Sequence, residues 1–239
     1  MPDKKEMKLL QVNLNHCRDA QDLLMQTIAQ DKIDVAIISE PYGVDGNLRW
    51  LRSKDGKAAI GITDKAKRIK RTIKGNCYVG VEIGDAIIIS VYVSPNGTER
   101  DLGNVLDDIE RTIRRNQRKD IIVAGDLNAW HKRCGATRTN RRGMILDEFM
   151  TINDLHSCRR GNEPTFTRVS GDATSMVDVM LANSRMRGKI EGWRVRDEET
   201  LSDHRYIQYR IEEETREAGA KPTTTGKKWA IGRLNKKNL

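Results

Sequence analysis

The sequence predicts an α/β protein, specifically a four-layer α/β sandwich of two packed mixed β-sheets flanked by helices. Apolar runs of strand length dominate, such as "AIIISVYV" at 86–93 and "IIVAG" at 121–125. Such runs are typical of strands buried on both faces, as happens where helices cover a sheet. Segments with helical spacing of apolar residues lie between them, and no internal repeat is visible. These observations favour strands and helices that pack in layers.

The elements follow one another along the chain. We expect strands at 7–15, 34–41, 57–62, 76–83, 86–93, 120–126, 164–168, 175–182, 189–196 and 203–211. Helices are predicted over 18–31, from 98 to 113 and over 141–153, because apolar residues recur there at helical spacing. Thr98 and Asp101 resemble a capping box at the start of the second helix.

Size and charge narrow the class of protein. The 239 residues suffice for one large domain, and 37% of them are hydrophobic. The formal net charge of +9 favours polyanionic partners, most often nucleic acid. The charge is uneven, because residues 216–239 hold seven Lys or Arg against one Glu. We therefore expect one domain over 1–213 and a basic linker or tail over 214–239.

Other patterns argue against a membrane or secretory protein. The longest apolar runs are far shorter than a membrane span, and the N-terminus lacks the apolar core of a signal peptide. Four cysteines occur without C-x-x-C spacing, which suits a reducing compartment and argues against a disulfide framework or a zinc site.

Polar side chains end or interrupt several predicted strands. They are Asn13, Glu40, Asp126, Asn128, Asp178, Asp203 and His204. Each alone has an ordinary explanation, since "GDLN" also suits a turn and Glu40 before Pro41 also suits an exposed position. A charged Asp178 within an apolar strand is costly unless it is paired, and His204 is an available partner.

The same residues together suit phosphate chemistry. Glu40 offers the hard oxygen ligand that Mg²⁺ prefers. Asp126 and Asn128 lie two positions apart, so in extended backbone their side chains project to one face. With the Asp178–His204 pair, these are the parts needed for metal-assisted hydrolysis of a phosphate ester.

The motifs carry a family resemblance. "VNLN", "SEP", "GDLN", "VDV" and "LSDH", in this order between residues 7 and 211, resemble the exonuclease–endonuclease–phosphatase superfamily. That superfamily includes apurinic/apyrimidinic endonucleases, the DNase I group and inositol phosphatases. Finer features resemble the endonuclease domain of non-LTR (LINE-type) retrotransposons, especially the arthropod clade that inserts into ribosomal DNA or telomeric repeats. They are "LQVNLNHCRDAQDLL", "PYG", "GDLNAWHKRCGATRTNRRG", "PTFT" and "SMVDVMLAN".

The resemblance implies a role for each matching residue. It implies a metal site at Asn13, Glu40 and Asp203, phosphate contacts by Tyr92 and Asn128, water activation by Asp126, a buried Asp178–His204 pair, and a DNA-backbone contact by Thr165. Beside these, the basic stretch 138–142 offers Arg141 and Arg142 for DNA binding. Target choice is expected to involve loops 42–53, 131–142 or 168–174.

The implied function is a Mg²⁺-dependent (or Mn²⁺-dependent) endonuclease that nicks one strand of double-stranded DNA. Its 3′-hydroxyl product would prime reverse transcription, and "KKWAIGRLN" would lead toward a reverse transcriptase domain of the same polyprotein. We expect a monomeric domain with no membrane partner, located in the nucleus. Three alternatives stay open: an abasic-site repair endonuclease with the same residues, a phosphatase of small phosphoesters, and a catalytically inactive DNA-binding module.

Overall fold

A computed structural model describes residues 5–43, 49–63, 69–168 and 174–213. The strands, in chain order, are β1 (Lys5–Asn13), β2 (Val35–Ser39), β3 (Arg49–Arg52), β4 (Ala58–Ile62), β5 (Ile69–Lys74), β6 (Tyr78–Ile83), β7 (Ala86–Tyr92), β8 (Asp120–Asp126), β9 (Leu155–Ser157), β10 (Phe166–Thr167), β11 (Thr174–Ser175), β12 (Asp178–Asn183), β13 (Ile190–Val195) and β14 (Ile207–Glu213). The helices are α1 (Arg18–Asp31), α2 (Glu99–Arg114), α3 (Arg141–Ile152) and α4 (Ser184–Arg187), with a 3-10 turn at Lys132–Cys134.

Two six-stranded mixed sheets organise the fold. The first has the order β13-β14-β1-β2-β4-β3 and the second β5-β6-β7-β8-β12-β9, while β10 and β11 form a separate hairpin. Each large sheet contains one parallel pair joined through a helix: β1 and β2 through α1, and β7 and β8 through α2. Parallel strands need such a crossover, and their carboxyl ends meet at one edge of the sheet.

Alternation along the strands creates the layers. One face of each large sheet buries Leu9, Ile37, Ile88 and Ile122 in a shared core between the sheets. The opposite face of the first sheet packs Leu10 and other residues against α1, and that of the second sheet packs against α2 and α3. The order helix, sheet, sheet, helices confirms the predicted four-layer sandwich.

Local signals fix the helix starts. α1 spans Arg18–Asp31, which confirms the range predicted from apolar spacing. At α2 the Thr98 hydroxyl accepts from the Asp101 amide while the Asp101 carboxylate accepts from the Thr98 amide, so the capping box is present. Asn140 caps α3 by accepting from the Gly143 amide.

Several element predictions differ from the structure. β3, β5 and β9 were not predicted, because they are short or half-exposed and lack a continuous apolar run. The last strand starts at Ile207 rather than 203, since the residues before it form a loop that carries His204. The predicted tail 214–239 and parts of loops 42–53 and 168–174 lie outside the described residues. Within the described part of the chain, no helix has the length and apolar character needed to cross a membrane.

Candidate active site

Strand ends from both large sheets meet at one edge of the sandwich. Asn13 ends β1 and pairs in register with Ser39, the last residue of β2, so Glu40 follows beside it. In the second sheet Asp126 ends β8 opposite Tyr92 of β7 on one side and Asp178 of β12 on the other. Pairing within each sheet thus places polar side chains at the same edge.

A close approach of β7 and β8 depends on Gly125. Its φ is +145°, and a Cβ added there would lie 1.9 Å from the carbonyl oxygen of Val91. Any other residue would therefore collide with the neighbouring backbone. Gly125 thus allows the parallel pairing that positions Asp126.

Asn13 joins the two sheets at the site. Its Nδ2 donates to Glu40 Oε2 and to Asp126 Oδ2, each at 3.1 Å, while its Oδ1 accepts from the Asn15 amide at 2.8 Å. The amide nitrogen, a donor, therefore faces both carboxylates. A further contact across the sheets is the Asp126 amide donating to Ser39 Oγ at 3.3 Å.

Asp178 and His204 form a buried ion pair. Asp178 Oδ2 lies 2.8 Å from His204 Nδ1, and Phe166 packs edge-on against the imidazole with ring centroids 4.9 Å apart. Burial lowers the pKa of His204, but the charge and hydrogen bond of Asp178 outweigh it and raise that pKa to about 9. The ring is therefore cationic at neutral pH, with Nδ1–H donated to Asp178.

Asp126 lies next to this pair. Burial and the charge of Asp178 raise the pKa of Asp126 to about 7, against the opposing effects of His204 and of hydrogen bonds from Asn128 and Asn13. A carboxylate with a pKa near neutrality is suited to accept a proton in a reaction. Asn128 donates its backbone N–H to Asp126 Oδ1 at 2.9 Å, and its Nδ2 donates to the Val93 carbonyl at 3.2 Å.

Tyr92 faces the same site from β7. Its side chain is buried, and its hydroxyl lies near the side chains of Glu40 and Ser94. Burial, followed by the hydrogen bond and charge of Glu40, raises the pKa of Tyr92 well above its ordinary value. The phenol therefore stays protonated and can donate a hydrogen bond to an anion.

Strained backbone surrounds the site. Asn15, His16, Glu40 and Asn128 all have φ between +47° and +53°, the left-handed region that side-chain-bearing residues rarely adopt. Such strain concentrates at functional sites because the surrounding structure must hold it in place. Here the left-handed backbone turns the chain at Glu40 and Asn128 out of the direction of the strands that precede them.

Carboxylate oxygens at two places in the site can hold a divalent cation. Ligand atoms of Asp126, Asp178 and His204 lie within 4.8 Å of one another, although His204 Nδ1 and Asp178 already engage each other. Glu40, whose side chain is 16% exposed, offers a carboxylate that is open to solvent at the rim. The site therefore holds the oxygen ligands that hard cations require.

Asp203 and Thr165 lie beside the site but differ in exposure. Asp203 is half-buried, and within the described residues no hydrogen bond or ion pair engages its carboxylate. Thr165 is fully buried, and its Oγ1 accepts from the Asp178 amide at 3.4 Å. This corrects the expected contact of Thr165 with the DNA backbone, because a side chain without exposed surface supports Asp178 instead.

The two predicted DNA-binding arginines are not equivalent. Arg142 is buried, and its guanidinium donates to the carbonyl oxygens of Val93, Ser94, Gly97 and Leu127. We therefore correct the prediction for Arg142: it joins loops of the protein and is not free to contact DNA. Arg141 is exposed and lines, with Arg100, a cleft between the N-terminal ends of α2 and α3.

Sequence reasoning missed several residues that shape the site. Ser202 Oγ donates to the Asn13 carbonyl at 2.7 Å and ties the His204 loop to β1. His16 Nε2 lies 3.4 Å from Glu40 Oε1. The only signal for His16 was its place just after the end of the first strand, and no pattern pointed to Ser202.

Comparisons with known proteins agree with this geometry. The model of the endonuclease-reverse transcriptase family matches residues 86–208. Among solved structures, the endonuclease domain of TRAS1, a telomere-specific non-LTR retrotransposon, is 30% identical with a TM-score of 0.76, over 87% of this chain and 99% of that one. AP endonuclease LMAP from Leishmania major shares the fold with a TM-score of 0.69 at 13% identity, over 89% of each chain. A search of curated proteins found no match.

The family match and the TRAS1 similarity confirm the resemblance that the strand-end motifs indicated. The chain belongs to the endonuclease-reverse transcriptase family and is an endonuclease, a phosphodiester hydrolase with the fold of the exonuclease–endonuclease–phosphatase superfamily.

Proposed function

We propose that this endonuclease nicks one strand of duplex DNA with Mg²⁺ or Mn²⁺ and leaves a 3′-hydroxyl that primes reverse transcription of a non-LTR retrotransposon. The observation that carries the proposal is the Asn13 bridge, which holds Glu40 and Asp126 from two different sheets on either side of one amide. A cation ligand and a group that activates water are thereby kept adjacent, as phosphodiester hydrolysis requires.

We assign the cation to Glu40, with Asn13 and Asp203 as the further residues that family resemblance implies. The hard oxygen donors and the partly open rim suit Mg²⁺, which retains waters and binds substrate phosphate. A bound cation supplies positive charge that polarises the phosphate and stabilises the departing 3′ oxygen. Binding through the amide oxygen of Asn13 requires that side chain to turn, since its nitrogen faces the carboxylates.

The protein's own residues then act on water and phosphate. Asp126 accepts a proton from the attacking water, whose oxygen bonds to phosphorus as the bond from phosphorus to the 3′ oxygen breaks. The His204 imidazolium, oriented by Asp178, stabilises the added negative charge on the phosphate oxygens. Tyr92 and Asn128 donate hydrogen bonds to the same oxygens. The 3′ oxygen leaves with a proton taken from solvent, which balances the one given to Asp126.

Relaxation of supercoiled plasmid tests the reaction. We expect conversion to the nicked circle with Mg²⁺ or Mn²⁺ and none with EDTA. Asp126→Ala and His204→Ala should abolish nicking while their circular dichroism spectra stay native. His156→Ala is the matched control, because His156 contacts Asp154 and Ser184 away from this site. Nicking at the wild-type rate by either active-site variant would show that the residues are wrongly assigned.

The product and the substrate separate the alternatives. Extension of the nick by a DNA polymerase without prior end treatment would establish the 3′-hydroxyl. If the nicking rate on intact duplex equals or exceeds the rate on an abasic duplex, the retrotransposon function is supported. Activity confined to abasic DNA indicates a repair enzyme. Metal-independent DNA binding without any nicking would instead support the inactive binding module.

The wider context of the domain belongs to the same proposal. We assign residues 1–213 to a monomeric endonuclease domain and 214–239 to a basic linker toward a reverse transcriptase domain of one polyprotein. Because the proposed substrate is chromosomal DNA, the protein must enter the nucleus. A tagged full-length polyprotein that stays outside the nucleus throughout the cell cycle would contradict that location.

A further inference from the structure

His16 lies at the rim of the active site, directly against Glu40. Its Nε2 is 3.4 Å from Glu40 Oε1, and its Nδ1 is 3.3 Å from the Pro41 carbonyl oxygen. The His16 side chain is 52% exposed, so both solvent and a phosphate group can reach it. The nuclease chemistry above does not use this imidazole.

The backbone holds the imidazole in this place. The His16 amide donates to the Glu40 carbonyl at 2.9 Å, and both residues have left-handed φ values, +53° and +47°. Two adjacent strained positions joined by a hydrogen bond need support from their surroundings. Their side chains are thereby aimed at each other across the gap between the β1–α1 turn and the end of β2.

The contact with Pro41 decides which nitrogen of a neutral ring carries the proton. A carbonyl oxygen only accepts, so Nδ1 must be the donor, and Nε2, 3.4 Å from Glu40 Oε1, then carries no proton. Histidines that bind metals nearly always donate their other ring N–H to a carbonyl or carboxylate in this way. An unprotonated ring nitrogen beside a carboxylate oxygen is unfavourable unless a metal cation or a proton lies between the two atoms.

The separation of the two atoms fits shared coordination. Two ligands about 2.1 Å from one ion lie about 3.0 Å apart at a right angle and about 3.4 Å apart at the tetrahedral angle. The observed distance of 3.4 Å equals the tetrahedral value, and an octahedral ion such as Mn²⁺ or Mg²⁺ would draw the two atoms about 0.4 Å closer together. A carboxylate and an imidazole together favour Mn²⁺ and similar ions more than an all-oxygen site does, because Mg²⁺ prefers oxygen.

We propose that His16 Nε2 and Glu40 Oε1 ligate the same divalent cation, and that His16 biases this site toward Mn²⁺. This inference rests on the proposed metal-dependent function. The rival explanation is an imidazolium that forms an ion pair with Glu40 and competes with the cation. The two explanations predict opposite effects, since removing a ligand weakens cation binding and removing a competing positive charge strengthens it.

The informative variant is His16→Asn. Asparagine tolerates positive φ better than most residues and retains an N–H donor near the position of Nδ1, but it lacks Nε2. His156→Asn is the matched control, since it removes a half-exposed imidazole from another surface. Thermal unfolding of both variants establishes that they are folded.

Mn²⁺ binding to the whole protein, without DNA, is measured by electron paramagnetic resonance of the free ion. We expect His16→Asn to weaken Mn²⁺ binding by at least about tenfold. Mg²⁺ affinity, measured by competition with Mn²⁺, should change by less than about threefold. Unchanged or tighter Mn²⁺ binding in His16→Asn would overturn the proposal.

A spectroscopic measurement identifies the ligand itself. Electron spin echo modulation from a directly bound ¹⁴N should appear for Mn²⁺ in the wild type and in His156→Asn, and disappear in His16→Asn. Modulation that persists in His16→Asn and disappears in His204→Asn would place the ion at Asp126, Asp178 and His204 and overturn the assignment. These measurements do not depend on catalysis. If the ¹⁴N modulation disappears in His16→Asn as expected, but the wild-type protein nicks DNA without metal, the proposed function is wrong and the assignment of this metal site stands.

Discussion

Asp178 Oδ2 lies 2.8 Å from His204 Nδ1, and both side chains are more than nine-tenths buried. Asp178 begins β12 of the second sheet, whereas His204 lies in the loop just before β14 of the first sheet. A buried charge pair of this kind is costly to break, since removal of one partner leaves the other without compensation. The pair therefore connects the stability of the fold with the chemistry of the site.

Stability should depend on pH through His204. Its pKa is about 9 in the folded protein against an ordinary value of 6.5, so the stabilising contribution is full below pH 6.5 and is lost as pH rises through 9. The free energy of unfolding should fall by about 3 kcal/mol across that window, and Asp178→Asn should flatten the dependence. Urea unfolding below pH 6.5 and above pH 9 measures it. An unchanged slope in Asp178→Asn would contradict the prediction.

The charged carboxylate of Asp126 should lower the free energy of unfolding at neutral pH. Because its folded pKa is about 7 against an ordinary 3.8, the penalty is absent below pH 3.8 and full above pH 7. Asp126→Asn should therefore raise the free energy of unfolding above pH 7 by on the order of 4 kcal/mol, while nicking is lost. Urea unfolding in chelator-containing buffer is the measurement. A variant that is less stable than the wild type above pH 7 would argue against this origin of the raised pKa.

Arg141 and Arg142 should behave differently despite being neighbours. Arg142→Ala removes one hydrogen-bond donor from each of four backbone carbonyls, of which Val93 and Ser94 keep a second donor, and should lower the free energy of unfolding by about 3 kcal/mol. Arg141→Ala should keep wild-type stability but weaken DNA binding and reduce the slope of log affinity against log salt by about 1. Denaturant unfolding and salt-dependent fluorescence anisotropy measure the two effects. Equal stability of the two variants would contradict the contrast.

Gly125 should tolerate no side chain. Gly125→Ala places a Cβ 1.9 Å from the Val91 carbonyl oxygen and should lower the free energy of unfolding by more than about 3 kcal/mol. Gly103→Ala is the control, because a Cβ added at this position of α2 meets nothing within 4 Å and alanine favours helix by about 0.5–1 kcal/mol. Thermal and urea unfolding compare them. A stable Gly125→Ala with normal nicking would show that the β7–β8 approach can relax.

The sequence predicted most of what depends on local pattern. Apolar spacing located α1, and the Thr98–Asp101 pattern located the start of α2, because both are set by residues close in the chain. The cost of burying Asp178 indicated a partner, and His204 is its partner in the structure. The sequence did not predict β3, β5 and β9, because these strands are short or half-exposed and lack a clear alternation of apolar and polar residues.

Burial could not be inferred from residue type. Thr165 and Arg142 look like surface polar residues in the sequence, yet both are buried and hydrogen-bond within the protein. Arg141 has nearly the same sequence context as Arg142 but is exposed. A helix turns about 100° per residue, so neighbouring side chains face different surroundings that only the packed structure defines.

The sequence by itself determined the layers, the family and the strand-end residue types, because alternation and motif spacing are encoded in adjacent positions. Only the tertiary structure decided that Asn13 bridges Glu40 and Asp126 and that His16 faces Glu40. Those contacts join residues that are 24 to 113 positions apart in the chain, and the contact of His16 with Glu40 also depends on left-handed backbone at both residues. They exist because packing brings strand ends from two sheets to one edge.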